Sequence, residues 1–534
     1  MLFNDGPAFL SMAQAIGEGR WGAVVAHPYH PLYPFCTWLV SSWIGLGLET
    51  AAVAVSIAGG LMAVVAIHLL VRDGFGSGPA WVSSALVAVH PSAVDISSDV
   101  MSDGLYSGLF LAGLVLLVRT VGGPSLAAAA GAGGLAGLAY WARPEGIGLL
   151  PVGVLLLVWR GLKAPNERRR LLAAASSLVV VGALVASPYV WALEQQTGQL
   201  ALTRKKTLRS LALGDASPPS AVGSEAIGPQ GFGDRGVSPP PLVLPEQSIR
   251  SDGPGARPPP HTLPGALEAG WRVLQTALSA LRYEVALLVV WGLLGWGRRA
   301  GGGWPAAGRS TARTRGASTP VGMGSTMGGW TTRLLVVTTV LYGGLLVLLV
   351  WGAGYVSRRH ALPFMLPWVG FAALPVVALL RSGLGPGPGP GSASEGLGTG
   401  GGVRRWISLA LIAGLLLGWG ARDLRLRRGE RLALREAATW LARRHPDSGP
   451  VAGQKLRVAY YAGAPFVPLP SGRRRSLESG LRERGTRWIV IDAGKLGDHL
   501  GLSEGIGTWS SILHRVEARG RVALILEIRP EAAR

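Results

Sequence analysis

Three groups of residues in the 534-residue sequence are of a type and spacing that could do chemistry. Asp5, in NDGPAFLSMAQAIGEGRW, lies ahead of HPYHPLYPFCTWLV, which begins at His27. A carboxylate held just above a bilayer can take a proton from a hydroxyl or amine, or orient that group for attack. A simpler role competes on local sequence: Asp is a favoured N-cap and Pro7 lies just inside the helix it would start. One residue can serve both purposes. The second group is the loop HPSAVDISSDVMSDG, in which His90 is followed by Asp95, Asp99 and Asp103. Closely spaced acids at a membrane edge suit a divalent metal, a sugar or another polar acceptor. For Asp95 and Asp99 a solvated loop is the simpler expectation, whereas Asp103, where the next helix begins, is the strongest candidate. The third group is cationic: Arg143 in YWARPEG, Arg204, Lys205 and Lys206 in LTRKK, and Arg358, Arg359 and His360 in GYVSRRHALP. Phosphate needs such donors, and arginine offers a bidentate fork. Any one of these cations could as well meet lipid headgroups or snorkel at the end of a span. Together on one face they favour a polyanionic ligand. His27 and His30 are three residues apart, but Pro28 and Pro31 break any helix that would align them as a metal pair.

These groups need elements that carry them to one place, and the composition points to a membrane. Hydrophobic residues make up 49% of the chain, charged residues only 15%, and the mean hydropathy is +0.34. The apolar residues fall in runs long enough for a hydrocarbon core of about 30 Å. Ten spans can be drawn, at 50–71, 79–94, 103–119, 125–142, 146–160, 171–193, 274–297, 333–353, 361–380 and 406–420. The net charge of +21 resembles a nucleic-acid footprint. Most of the excess Arg and Lys, however, lies in short loops after alternate spans, which is the signature of topology and not of nucleic-acid binding. The basic loops therefore face the cytoplasm. By parity the N-terminal segment, the Asp95–Asp103 loop, the 194–273 loop, the GYVSRRH loop and the C-terminal tail face outward. Arg422, Arg425, Arg427 and Arg428, just after the last span, run against that rule. The single cysteine, Cys36, excludes an intrachain disulfide.

Composition divides the chain further. Residues 1–48 read as a first external loop with juxtamembrane helices, 49–193 as spans with the acidic loop, and 194–273 as an external loop whose 214–265 portion, rich in Pro, Gly and Ser, is expected to be disordered. Residues 274–420 read as further spans joined by Gly-rich loops near 300–330 and at 384–402. From 430 to 534 the pattern is that of a small soluble α/β domain, with strands expected at LRVAYYA (456–462), RWIVID (487–492) and RVALILEI (521–528). No Gly-rich phosphate loop follows them. The fold class expected is mainly α: a polytopic transmembrane bundle with a small C-terminal α/β domain.

DGPAFLSMAQAIGEGRW with HPYHPLYP, HPSAVDISSDVMSDGLYSGLFLAGLVLLVR, GLAYWARPEGIGLLP and SRRHALPFMLPWV together resemble the GT-C glycosyltransferases. The likeness is to their protein mannosyltransferase and aminoarabinose transferase branch. It implies a multi-pass enzyme of a bacterial inner (plasma) membrane that takes a sugar from a polyprenyl-phosphate carrier and places it on a lipid, glycan or protein acceptor at the outer face. It further implies that Asp5 serves as base or acceptor ligand, with Asp103 as a second acid. Arg143, Lys205, Lys206, Arg358, Arg359 and His360 would hold the carrier phosphate, and Asp99, His30 and Tyr33 would contact acceptor or sugar. The family has a span ahead of its first external loop, so the resemblance implies that a first span is missing here. Partners would be membrane lipids, the polyprenyl-phosphate sugar and the acceptor; a divalent metal is compatible with the acids. A transporter or flippase of a lipid-linked anion, and a polymer ligase using the same carrier, stay open as alternatives.

Overall fold

A computed structural model describes residues 5–204, 263–300, 323–353, 356–382, parts of 406–423, 429–469 and 474–529. The 214–265 and 384–402 stretches and Lys205 and Lys206 lie outside the described residues, as does most of 300–330. Three short helices, α1 (Gly6–Gly17), α2 (Trp21–Ala26) and α3 (Leu32–Ile44), precede the first long one, α4 (Leu48–Phe75). The chain continues through α5 (Ser77–Ala88), α6 (Pro91–Ser97), α7 (Ser102–Gly122), α8 (Leu126–Ala142), α9 (Leu149–Lys163) and α10 (Arg168–Thr197). After the gap come α11 (Leu263–Leu281), α12 (Tyr283–Ala300), α13 (Met323–Ala353), α14 (Arg358–Met365) and α15 (Val369–Ser382).

Among the described residues, six helical stretches are long and apolar enough to cross a membrane: Leu48–Phe75, Ser102–Gly122, Pro144–Lys163, Pro165–Thr197, Gly328–Trp351 and Arg358–Leu380. Each falls on an expected span. The other expected spans take different forms for local reasons. The 79–94 run stops at Ala88 because His90 is extended and Pro91 opens α6; the 12 residues of α5 cover only about 18 Å. Helix α8 is apolar but has 17 residues. The 274–297 run is bent by 96° at Arg282, whose φ of 69° lies in the left-handed region that side chains rarely adopt. The 406–420 run is only partly described.

Close packing of α4 on α7 sets the start of α7. A Cβ on Gly59 would lie 2.4 Å from the Leu105 nitrogen, and one on Gly104 would lie 2.7 Å from the Ser56 carbonyl oxygen. Small residues at these positions let the two backbones touch, which is how helices associate where lipid removes the hydrophobic drive. Gly104 follows Asp103, so the seam fixes where that carboxylate begins. Gly104→Val is therefore expected to overpack the seam, costing about 1–3 kcal/mol, and to lower the thermal aggregation midpoint of the detergent-purified protein. Gly343→Val, at a position with no neighbour within 4 Å, should leave it unchanged.

The C-terminal unit is α/β. Helix α16 (Gly429–Arg444) is followed by β1 (Val451–Gly453), α17 (Leu456–Ala462), β2 (Phe466–Pro468), α18 (Arg474–Glu483), β3 (Trp488–Asp492), β4 (Ser510–Ala518) and β5 (Arg521–Ile528). The strand order is β2-β1-β3-β5-β4, with β1 parallel to β2 and β3, and β5 antiparallel to β3 and β4. Alternate residues of β3 serve two cores. Trp488 and Val490 meet Ala437 and Leu441 of α16, while Ile489 and Ile491 share a cluster with Leu477 and Leu481 of α18. Burial on both faces explains the unbroken apolar run of this strand. The expected strands at 487–492 and 521–528 are present. LRVAYYA is instead the helix α17, stopped by Gly463 at φ 64°. Its Val and Tyr content suggested a strand, but a seven-residue apolar run cannot be assigned by composition, and tertiary packing of Val458 and Ala462 against α16 decides it.

Candidate active site

Asp5 directly precedes α1, but its side chain makes no cap hydrogen bond. The carboxylate instead accepts a hydrogen bond from Arg359, Nη1 to Oδ2 2.8 Å, across 354 residues of chain. The Tyr29 hydroxyl also bonds to Asp5. Burial raises the pKa of this phenol and the Asp5 charge raises it further, so it keeps its proton and donates; Arg359 and Arg143 pull the other way. The Tyr29 ring stacks on Phe9 of α1 at 4.9 Å, which fixes its hydroxyl. Helix α14 presents Arg359 because a capping box defines its first turn, with the Ser357 backbone N–H donating to His360 Nδ1 at 3.2 Å. His360 is thus engaged in capping its helix. Arg358 is exposed and forms no ion pair with a described residue.

The second pair is deeper. Asp103, in the first turn of α7, forms a direct ion pair with Arg143, the extended residue that ends α8. Their side chains are 4% and 10% exposed. Arg143 Nε also lies 3.4 Å from Glu145 Oε2, and its guanidinium lies 5.7 Å from the centre of the Tyr106 ring. Burial alone would favour the neutral guanidine, but Asp103 and Glu145 more than offset it and raise the pKa of Arg143. Tyr29 lies within electrostatic range of Asp5, Arg359 and Arg143, so charges of both acid–arginine pairs bear on this one phenol.

Asp99 is not in a solvated loop. It is buried, with Oδ1 accepting from the Val100 N–H at 3.0 Å and Oδ2 accepting from Arg431 Nη1 of α16 at 3.0 Å. One turn along α16, Arg435 lies 3.7 Å from Glu49, and the Tyr461 hydroxyl donates to Glu49 Oε1 at 3.1 Å. Tyr460 and Tyr461 pack against the cluster of Phe9, Leu10, Tyr33, Val55 and Val100. The C-terminal unit therefore sits at the end of the bundle that carries Asp5 and Asp99.

Other candidates lie away from these two pairs or between packed helices. His30 is wedged between the rings of Tyr140 and Tyr189, with Nδ1 2.6 Å from the Tyr140 carbonyl oxygen. Tyr33 is fully buried, and its hydroxyl donates to the Ala52 carbonyl at 2.8 Å. Arg204 ties the end of α10 to α2, donating to the Ala26 carbonyl at 2.8 Å. Among the described residues no three His, Cys, Asp or Glu side chains group to hold a metal ion. Sequence reasoning did not single out Tyr29, Glu145, Glu49 or Arg431. Glu145 had a signal, two residues from Arg143; Arg431 looked like any surface arginine of a helix.

A bundle of long apolar helices with acids and arginines gathered at one end, and an α/β unit docked there, has the fold of the GT-C membrane glycosyltransferases. Residues 26–191 match the family model of dolichyl-phosphate-mannose-protein mannosyltransferases. That stretch contains Tyr29, Asp103 and Arg143 and leaves Asp5, Arg359 and the C-terminal unit outside it. A comparison with curated protein sequences finds no match. Among solved structures, the Archaeoglobus fulgidus oligosaccharyltransferase in its apo form is similar with a TM-score of 0.54 at 13% identity, over 94% of this chain and 68% of that one. The same organism's AglB, in complex with an inhibitory peptide and a dolichol-phosphate, gives 0.50 at 13% identity, over 88% and 62%. ArnT from Cupriavidus metallidurans bound to undecaprenyl phosphate gives 0.48 at 14% identity, over 98% and 93%.

Proposed function

We propose that the chain is an integral-membrane glycosyltransferase that moves a hexosyl or pentosyl group from a polyprenyl-phosphate donor to an acceptor at the outer face of the membrane. The observation that carries this reading is the Asp5–Arg359 contact beside the buried Asp103–Arg143 pair. A group able to take the acceptor's proton thereby stands next to groups able to hold a leaving phosphate. In the reaction, the acceptor oxygen or nitrogen attacks the anomeric carbon as its proton passes to Asp5. The bond from that carbon to the phosphate oxygen breaks, and the phosphate leaves with the electron pair. Arg359, with Arg358 and Arg143, stabilises the negative charge that develops there. Asp103 is the second acid and holds Arg143 in place. The dolichol-phosphate in the AglB complex, a protein of the same fold, supports a carrier of this chemistry.

The outward placement rests on the basic loops, and the Arg431–Asp99 contact supports a C-terminal unit on the same side despite Arg422, Arg425, Arg427 and Arg428. The acceptor class, whether lipid, glycan or protein, is open.

The test incubates membranes containing the protein with radiolabelled undecaprenyl-phosphate sugars. Label should leave the carrier in wild-type membranes. Label that crosses the bilayer still attached to its carrier would overturn this reading in favour of transport.

A further inference from the structure

Helix α16 meets the membrane bundle through two arginines one turn apart, and they meet unlike environments. Arg435 and Glu49 are 44% and 24% exposed, a pair screened by solvent. Arg431 and Asp99 are 11% and 0% exposed, so a carboxylate removed from water takes a cation from the C-terminal unit. Asp99 leads directly into the second acid. Its Oδ1 accepts the Val100 N–H, the Met101 carbonyl accepts from Ser56 Oγ of α4 at 3.2 Å, and α7 then starts at Ser102 with Asp103 in its first turn. The backbone between Asp99 and Asp103 is therefore held by Arg431 at one end and by α4 at the other.

We propose that Arg431 is a positioning residue for transfer: docking of the C-terminal unit supplies the cation that holds Asp99 and so sets the Asp103 carboxylate against Arg143. The proposal rests on the glycosyltransferase reading for its kinetic part and on geometry alone for the rest.

The experiment uses the full-length protein in nanodiscs. In Arg431→Ala, amide hydrogen exchange over 99–103 should quicken by about tenfold, while exchange in α8, α10 and the C-terminal sheet stays at wild-type rates. Arg431→Lys, which keeps a charge, should stay close to wild type, and Arg435→Ala should not change exchange over 99–103. With radiolabelled undecaprenyl-phosphate mannose, kcat per folded molecule should fall by about 10²-fold, with KM within about twofold, because Arg358 and Arg359 still grip the phosphate. Wild-type exchange over 99–103 in Arg431→Ala would overturn the proposal, as would acceleration spread over the whole molecule, which marks a merely structural residue. If Arg431→Ala loosens 99–103 but the wild-type protein releases no label from the carrier, the glycosyltransferase reading fails and the positioning of Asp103 stands.

Discussion

Asp5→Asn is expected to slow release of sugar from the carrier by about 10²–10⁴-fold, the range that a positioned general base contributes, while the protein still inserts and still binds undecaprenyl phosphate. Asparagine has nearly the same shape. Its side-chain oxygen can still accept from the Tyr29 hydroxyl and from Arg359, so the contacts that hold α1, the 27–31 segment and α14 together survive. The substitution removes the capacity to take a proton. Release of label from undecaprenyl-phosphate sugars and retention of radiolabelled undecaprenyl phosphate, measured on the same membranes, separate chemistry from binding. An unchanged rate would move the base to another residue.

Arg143→Ala has the second largest expected effect, and it acts twice. The change leaves the Asp103 and Glu145 carboxylates without their shared cation, Asp103 being deeply buried; orphaning one partner of a buried pair costs about 3–5 kcal/mol. It also removes a donor from the leaving phosphate, for which a loss of about 10²–10³ in kcat is typical of a single preorganised donor. Arg143→Lys divides the two effects. A lysine restores charge but not the planar fork, so much of the stability should return while the rate stays low. A thermal aggregation midpoint and kcat, read on both variants, check this. If lysine restores full rate, Arg143 works only by holding Asp103. Arg359→Ala should show the opposite balance: Arg359 and Asp5 are each 22% exposed, so stability should change little while carrier binding weakens.

The membrane bundle was legible in the sequence because every long span carries its own hydropathy signal, as α4 and α7 do. Helix breaks were not. The bend at Arg282 needs a left-handed residue in the middle of an apolar run, and no local composition marks it. The acids and arginines were legible as residue types, and Asp103 and Arg143 proved to be partners. Which acid meets which arginine was not readable, because Asp5 and Arg359 are brought together by the packing of α14 and not by spacing. His30 and Tyr33 lie in a motif-like stretch, yet their rings fill space between helices, which is the commoner use of an aromatic ring in a crowded interior. Asp99 was misread because its partner comes from a different structural unit, and a buried acid with a distant counter-charge looks from the sequence like a polar loop residue.

The separation of 354 positions between Asp5 and Arg359 also has a meaning in time. A ribosome adding about 5–20 residues each second separates the appearance of the two partners by roughly 20–70 s. During that interval Asp5 has been made while Arg359 has not, and Arg431 comes later still. An unfinished chain thus has its first spans before the Asp5–Arg359 contact can form, and a truncation before α14 is expected to give a membrane protein that releases no label from the carrier.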